Sequence, residues 1–310
     1  MRLCHPKQSR YKATMRDVID RYIENTLPAK TDKPKTIAQQ IQQLHWWRSC
    51  IGNTEIARLD KFLLVEARDM LVSKGYKSAT INAYLAVMNH LLNVARDEWN
   101  MIEHNPMQGV KRMTVKNDRT RYLKDEELRA LMQSCALETR KPLLEIVLLA
   151  LSTGARKNEL LGIRLMDIDI ARRCIYIHNT KNGKSRQLAL SGEALKCVLH
   201  HVDKARTGQT YLFEARREAK PIRIDVEFRR CRDRAGVKDF VFHDLRHSFA
   251  SYMAMSGRSI GEVKTALGHS DIKTTMRYVH FCDEHIADGV THMVEQRITP
   301  NLSGDMHAQT

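Results

Sequence analysis

Apolar residues recur at three- and four-residue intervals through the first hundred positions. Thr14 stands where a helix cap belongs, ahead of Met15, Val18, Ile19, Tyr22 and Ile23 on one face, and Pro28 closes that pattern. A second helix is expected over 36–50, and a third through Phe62, Leu63, Ala67 and Leu71 to Gly75. Ser78 is expected to cap a fourth, whose face is Ile81, Tyr84, Leu85, Met88, Leu91, Leu92 and Ala95. Residues 14–100 thus read as an all-helical bundle within a first domain of 1–105.

His104-Asn-Pro106 stops the pattern. Residues 106–121 read as a basic linker carrying Lys111, Arg112, Lys116, Arg119 and Arg121, a composition suited to a path along phosphates. The rhythm then changes. A helix is expected over 125–135, although Lys124 holds the place where a Ser or Thr cap would stand. An apolar helix from Pro142 should end near Thr153-Gly154. Strand-like runs at 172–178 and 185–190 meet across Lys181-Asn182-Gly183-Lys184, and Asn-Gly is a strong hairpin signal, so Lys181 falls on a β-turn. Helices are expected at 191–203, 225–235, 244–256, 260–267 and 271–280, with Gly236, Gly257 and Gly268 as C-terminal caps. The pattern predicts a mostly α protein with a small β-sheet: a mixed α+β domain over 122–284, then a tail over 285–310.

Charge narrows the partner. The 310 residues hold 51 Lys+Arg against 36 Asp+Glu, a net +15 spread along the chain, which points to a polyanion. Seven widely spaced cysteines without a C-x-x-C pair read as reduced thiols. No apolar run is long enough to span a bilayer, and the first residues lack a signal peptide's apolar stretch, so no membrane partner and a cytoplasmic, nucleoid-associated location are expected.

Four short segments carry chemistry: Gly154-Ala-Arg156-Lys-Asn-Glu159-Leu, His243-Asp244-Leu-Arg246-His247, Gly268-His269 and Arg277-Tyr278. Each residue alone has an ordinary explanation. Arg156 suits a helix terminus, Lys181 a solvated turn, His243 and His269 caps or core, and Tyr278 simple packing. Together they can surround one phosphate: two guanidiniums can hold its oxygens bidentately, as lysines cannot. The set, in this order and spacing, resembles the tyrosine recombinases, the phage-integrase family, over about residues 12–285.

The resemblance implies a helical, SAM-like core-binding domain followed by an α+β catalytic domain, the two closing as a C-shaped clamp on duplex DNA. It implies a site-specific recombinase, cleaving and rejoining DNA through a 3′-phosphotyrosine link for integration or excision of a phage or mobile element. By that resemblance Tyr278 is the nucleophile, Arg156 and Arg246 clamp the phosphate, and His269 donates a hydrogen bond to it. His243 is the first candidate to take the tyrosine's proton, and Lys181 protonates the departing 5′ oxygen. Glu159, Asp244 and His247 support the site, and Lys184 joins the DNA contacts. No cofactor or metal is implied. The partners are double-stranded DNA and a homotetramer on paired sites, with a DNA-bending protein and an excisionase as candidate accessories. A helix over 283–299, presenting Ile286, Val290, Met293 and Val294, is expected to dock on a neighbouring protomer.

Three other readings remain. His243-Asp-Leu-Arg-His247 differs from the zinc-protease pattern H-E-x-x-H only by Asp for Glu. It leaves Arg156, Lys181 and Tyr278 without a role and puts Arg246 beside the metal. A type IB topoisomerase would share the phosphotyrosine chemistry, and a catalytically silent relative would keep the fold alone.

Overall fold

Among the described residues, four α-helices build the first unit: α1 (Met15–Asn25), α2 (Pro34–Ile51), α3 (Lys61–Ser73) and α4 (Ser78–Asp97). They come from a computed structural model in which residues 12–29, 34–115, 120–178, 185–282, 291 and 294–298 are described. Thr14 caps α1 reciprocally: its hydroxyl accepts the Asp17 N–H, and the Asp17 carboxylate accepts the Thr14 N–H at 2.8 Å. Met15, Val18, Ile19 and Tyr22 meet Leu44, Trp47, Leu64, Leu71 and the apolar face of α4 in one core. Trp47 is fully buried and donates its indole N–H to the Tyr84 carbonyl at 3.0 Å.

Two boundaries differ from expectation. Helix α2 begins at Pro34, where a missing N–H costs nothing in the first turn. Lys77 rather than Ser78 is the N-cap of α4, with no side-chain cap bond. The expected linker also starts too early. Pro106–Gly109 forms a 3-10 turn whose Met107 is buried with Val110 in the first unit's core. Asn82 clasps Met113 through its N–H and its carbonyl, both at 2.8 Å. Apolar residues three apart at 107, 110 and 113 anchor this polar stretch. The contact pattern divides the chain into Met1–Asn117 and Asp118–Thr310.

The second unit holds α5 (Asp125–Ala136), α6 (Leu143–Thr153), α7 (Lys157–Leu161), β1 (Ile168–Asp169), β2 (Cys174–Ile177), β3 (Arg186–Ala189), α8 (Gly192–Asp203), α9 (Asp225–Arg234), α10 (Asp244–Met255) and α11 (Ile260–Leu267). Helix α6 is apolar almost all round and forms the centre of the unit's core, with Leu143, Ile146, Val147, Leu149 and Ala150 buried. Pro142 is its N-cap rather than its first residue. Lys124 begins α5 without a hydroxyl cap, and its backbone N–H reaches the Glu127 carboxylate at 3.0 Å. Small residues Ser248, Ala250, Ser251 and Ala254 let α10 pack closely. Ser248 accepts the Leu123 N–H at 3.0 Å, and Tyr252 donates to the Leu123 carbonyl at 2.7 Å, which ties α10 to the segment entering α5.

Among the described residues the sheet has three antiparallel strands in the order β1-β2-β3, where the sequence pattern predicts two. Ile175 faces Leu188 and Ile177 faces Arg186 across β2 and β3. Lys181 and Lys184, at the expected hairpin turn, lie outside the described residues. After α11 the expected helix over 271–280 is replaced by two 3-10 turns, Ile272–Thr274 and Met276–Phe281. Their bonds span three residues: Thr275 N–H to Ile272 at 2.7 Å, Tyr278 N–H to Thr275 at 3.0 Å. Thr274 and Thr275 crowd an α-helix, and the Thr275 hydroxyl is engaged by His269 instead. In the tail Val294–Ile298 forms a π turn, while Ile286, Val290 and Met293 lie outside the described residues. The protein is thus mostly helical with a small sheet, the expected fold class.

Candidate active site

Two turns of the second unit place the site. The first follows α6, where Gly154 adopts φ +61° and a Cβ would lie 2.3 Å from Cδ1 of Phe249. Only a residue without a side chain lets the chain turn there, against α10, and enter α7 two residues later at its N-cap, Arg156. The second follows α11, where Gly268 at φ +64° sets His269. A Cβ on Gly268 would meet Cδ of Arg186 at 2.6 Å.

Arg246 spans the two turns. On α10 and 4% exposed, it donates to the carbonyls of Gly154 and Leu267, both at 2.7 Å. Each carbonyl lies two residues before a site residue, Arg156 in one case and His269 in the other. Of five guanidinium donors, two are committed and three remain for a ligand. Burial, then Arg156 and Arg186, push its pKa down to about 9, leaving it a cation at neutral pH in crowded positive surroundings.

Glu159 is the counter-charge. One of its oxygens accepts the Arg156 side chain at 2.8 Å, and the other takes the Arg156 backbone N–H at 3.0 Å and Arg186 at 2.7 Å. Burial pushes its pKa up, but these bonds and the Arg186 charge outweigh burial and hold it below the ordinary value. Two guanidiniums therefore bond one carboxylate, and Arg246 feels the charges of both, an excess of positive charge suited to a phosphodiester. Arg186 was not among the expected site residues. Its signal was the strand alternation, which puts it on the face of Leu188 and Leu190, a charge where an apolar residue belongs.

Tyr278 is 2% exposed, packed with Ala250, Ala254, Val263 and Leu267. Its hydroxyl meets Nδ1 of His247 at 2.5 Å. Burial raises its pKa, while Arg277 and Arg246 act in the opposite sense. His247, expected only to brace the site, is thus the histidine in contact with the tyrosine oxygen. His243 caps α10, its ring centroid 5.3 Å from that of His247 and edge-on to it. Burial and the His243 ring lower His247 to about 4. Burial and the three arginines lower His269 to about 4, and burial and Arg246 lower His243. All three imidazoles are neutral at pH 7. His269 meets the Thr275 hydroxyl at 2.9 Å, and Asp244 accepts the Val241 N–H at 2.8 Å, fixing the start of α10. A cavity of about 940 Å³ opens beside Arg156 and His243, lined also by Lys157, Asn158, Tyr176 and His178.

The remaining expected residues fall elsewhere. Lys111 and Arg112 are exposed on the first unit, and Lys116 and Arg119 lie outside the described residues. Arg121 pairs with both oxygens of Glu127 at 2.9 and 2.5 Å, donates to the Lys238 carbonyl and lies over the Phe240 ring. It braces the base of α5. Among the described residues no three His, Cys, Asp or Glu side chains form a metal-binding group. Among them, too, no helix is long and apolar enough to cross a membrane.

The sequence model of the phage integrase family matches residues 121–285. The integrase of Salmonella phage P22 is 28% identical over 222 residues, covering 68% of this chain and 56% of that protein. Tyrosine recombinase XerA of Saccharolobus solfataricus is 32% identical over 216 residues, covering 68% of this chain and 67% of that one. A solved lambda integrase tetramer bound to a Holliday junction shares the fold, with TM-score 0.70 at 18% identity over 87% of this chain and 83% of that one. The chain belongs to the phage integrase family, the tyrosine recombinases.

Proposed function

We propose that this chain is a site-specific DNA recombinase, which cleaves and rejoins duplex DNA through a 3′-phosphotyrosine link on Tyr278 and serves integration or excision of a phage or mobile element. The observation that carries this reading is the Tyr278 hydroxyl, hydrogen-bonded to a neutral His247, in the same small unit as the Arg156–Arg186–Arg246 cluster. Arg156 and the three uncommitted donors of Arg246 take the non-bridging oxygens, where charge builds as the phosphorus becomes five-coordinate. His269, neutral beside them, donates a further bond.

Tyr278 attacks phosphorus through its oxygen, the bond to the 5′ oxygen breaks, and the phenolic proton passes to a base. An unassisted phenol is ionised to about one part in a thousand at pH 7, and burial lowers that further. His247 is the base that this geometry favours over His243. Lys181 supplies the proton of the leaving 5′ oxygen, a role that rests on the family resemblance. The linkage formed keeps the energy of the one broken, so the reverse attack by a 5′ hydroxyl rejoins the strand without a nucleotide. Four protomers on two paired sites would exchange partners, with a DNA-bending protein and an excisionase as accessory partners. The chain's charge of +15 suits that substrate.

The test is a nicked candidate attachment site that loses its 5′ fragment on cleavage. A covalent protein–DNA adduct is expected with the unaltered chain and absent with Tyr278→Phe. An adduct that survives the substitution, or activity that follows stoichiometric zinc and is lost to a chelator, would overturn the reading. Relaxation of a supercoiled plasmid lacking any attachment site would assign the same chemistry to a topoisomerase.

A further inference from the structure

We propose that Arg186 is a positioning residue of the phosphate pocket: it holds Glu159, and through it Arg156, in register with the turn that carries His269. The inference rests on the recombinase reading above and adds a residue outside the set that the sequence pointed to.

Arg186 opens β3 with a side chain only 10% exposed. One terminal nitrogen donates to Glu159 at 2.7 Å, and the other to the Ala266 carbonyl at 2.7 Å. Glu159 belongs to the Arg156 turn, and Ala266 to the last turn of α11, three residues before His269. The stem of Arg186 also fills the space over Gly268. Arg186 and Arg246 therefore bridge the same two turns in parallel, one through a carboxylate and a carbonyl, the other through two carbonyls.

An ion pair serving stability alone would need one donor on Glu159. The second bond needs the planar fork of an arginine, since a lysine ammonium is a single point on a flexible stem. The fork comes with a cost, because the Arg186 Nε–H is buried without a partner. Arg186 also adds a third cation to a pocket whose charge already depresses Arg246 and His269, which a stabilising ion pair would not require. With one carboxylate among three arginines, the net positive charge of the cluster favours an anion between the two turns.

The test compares single-turnover cleavage of two nicked sites, one with the natural phosphodiester and one with a methylphosphonate at the scissile position. The methylphosphonate lacks the charged oxygen that the arginines clamp. Arg186→Met is expected to slow phosphodiester cleavage by about 10- to 100-fold, the range for losing a group that orients a reacting one. It should slow methylphosphonate cleavage only a few-fold, and cost nothing further in an Arg156→Met background. Equal loss on both substrates, or losses that multiply in the double variant, would overturn the proposal.

Should Arg186→Met fail to fold, Arg186→Lys keeps the charge on Glu159 without reaching Ala266, and the same selective loss is expected. If the unaltered chain forms no adduct on any DNA, the recombinase reading falls. The positioning role is then decided by NMR titration of His269 in Arg186→Lys. An upward shift with the charge retained supports seating of the turn, and an unchanged titration overturns it.

Discussion

Arg246 shows at the scale of one residue why guanidinium chemistry is required here. Its two committed donors seat the side chain on Gly154 and Leu267, and three more remain uncommitted. Arg246→Lys keeps a cation but can neither span both carbonyls nor grip two phosphate oxygens. Cleavage should fall by about 10²- to 10³-fold, the loss typical of a preorganised donor at a developing charge, in single-turnover assays on a nicked site. His247→Gln retains a hydrogen bond to Tyr278 but accepts no proton. If His247 is the base, cleavage at pH 7 should fall about 10²- to 10⁴-fold and recover as the pH rises toward the tyrosine's own ionisation. A comparable loss in His243→Gln with full activity in His247→Gln would return the role to His243. Arg156, His243, Arg246, His269 and Tyr278 were legible because residue types at fixed spacing are a one-dimensional signal. The contact of His247 with Tyr278 was not, since it joins positions 31 apart through packing that no local pattern records.

Periodicity located nearly every helix, because burial of one face is written at three- and four-residue spacing. Errors gathered where a local rule met a tertiary demand. The segment holding Tyr278 was expected to be α-helical, yet it winds as 3-10 turns while Thr275 serves His269. Strand β1 is two residues long, too short for alternation to mark it. The glycine turns were readable as helix ends, whereas their role in seating Arg246 was not. Gly154→Ala must displace the Phe249 ring and hold a positive φ, so a destabilisation of about 1–3 kcal/mol is expected, read as a lower thermal midpoint together with slower cleavage. An unchanged midpoint would mean that the turn relaxes without α10.

For the whole molecule, pH dependence follows from the buried imidazoles. His247 and His269 fall from an ordinary 6.5 to about 4 in the folded chain, so the unfolded chain binds protons first on acidification. The stability owed to these neutral rings is present above about pH 6.5 and lost as the pH falls toward 4. Urea denaturation across that range should show the decline, with a shallower slope in His247→Gln. An equal slope would remove His247 from the account. Truncation after Asp283 is expected to weaken tetramer formation on paired sites more than binding of one half-site, read by gel shift. Undiminished pairing would free the tail of that role.

By itself the sequence determined that this is a basic, mostly helical member of the phage integrase family with two arginines, three histidines and a late tyrosine in order, because composition, periodicity and motif spacing are properties of a string. The tertiary structure alone decided how those residues are held. It recruited Arg186, turned Arg121 into a brace and gave Tyr278 to His247, since each choice depends on which distant backbone carbonyls, carboxylates and rings the folded core brings within hydrogen-bond reach.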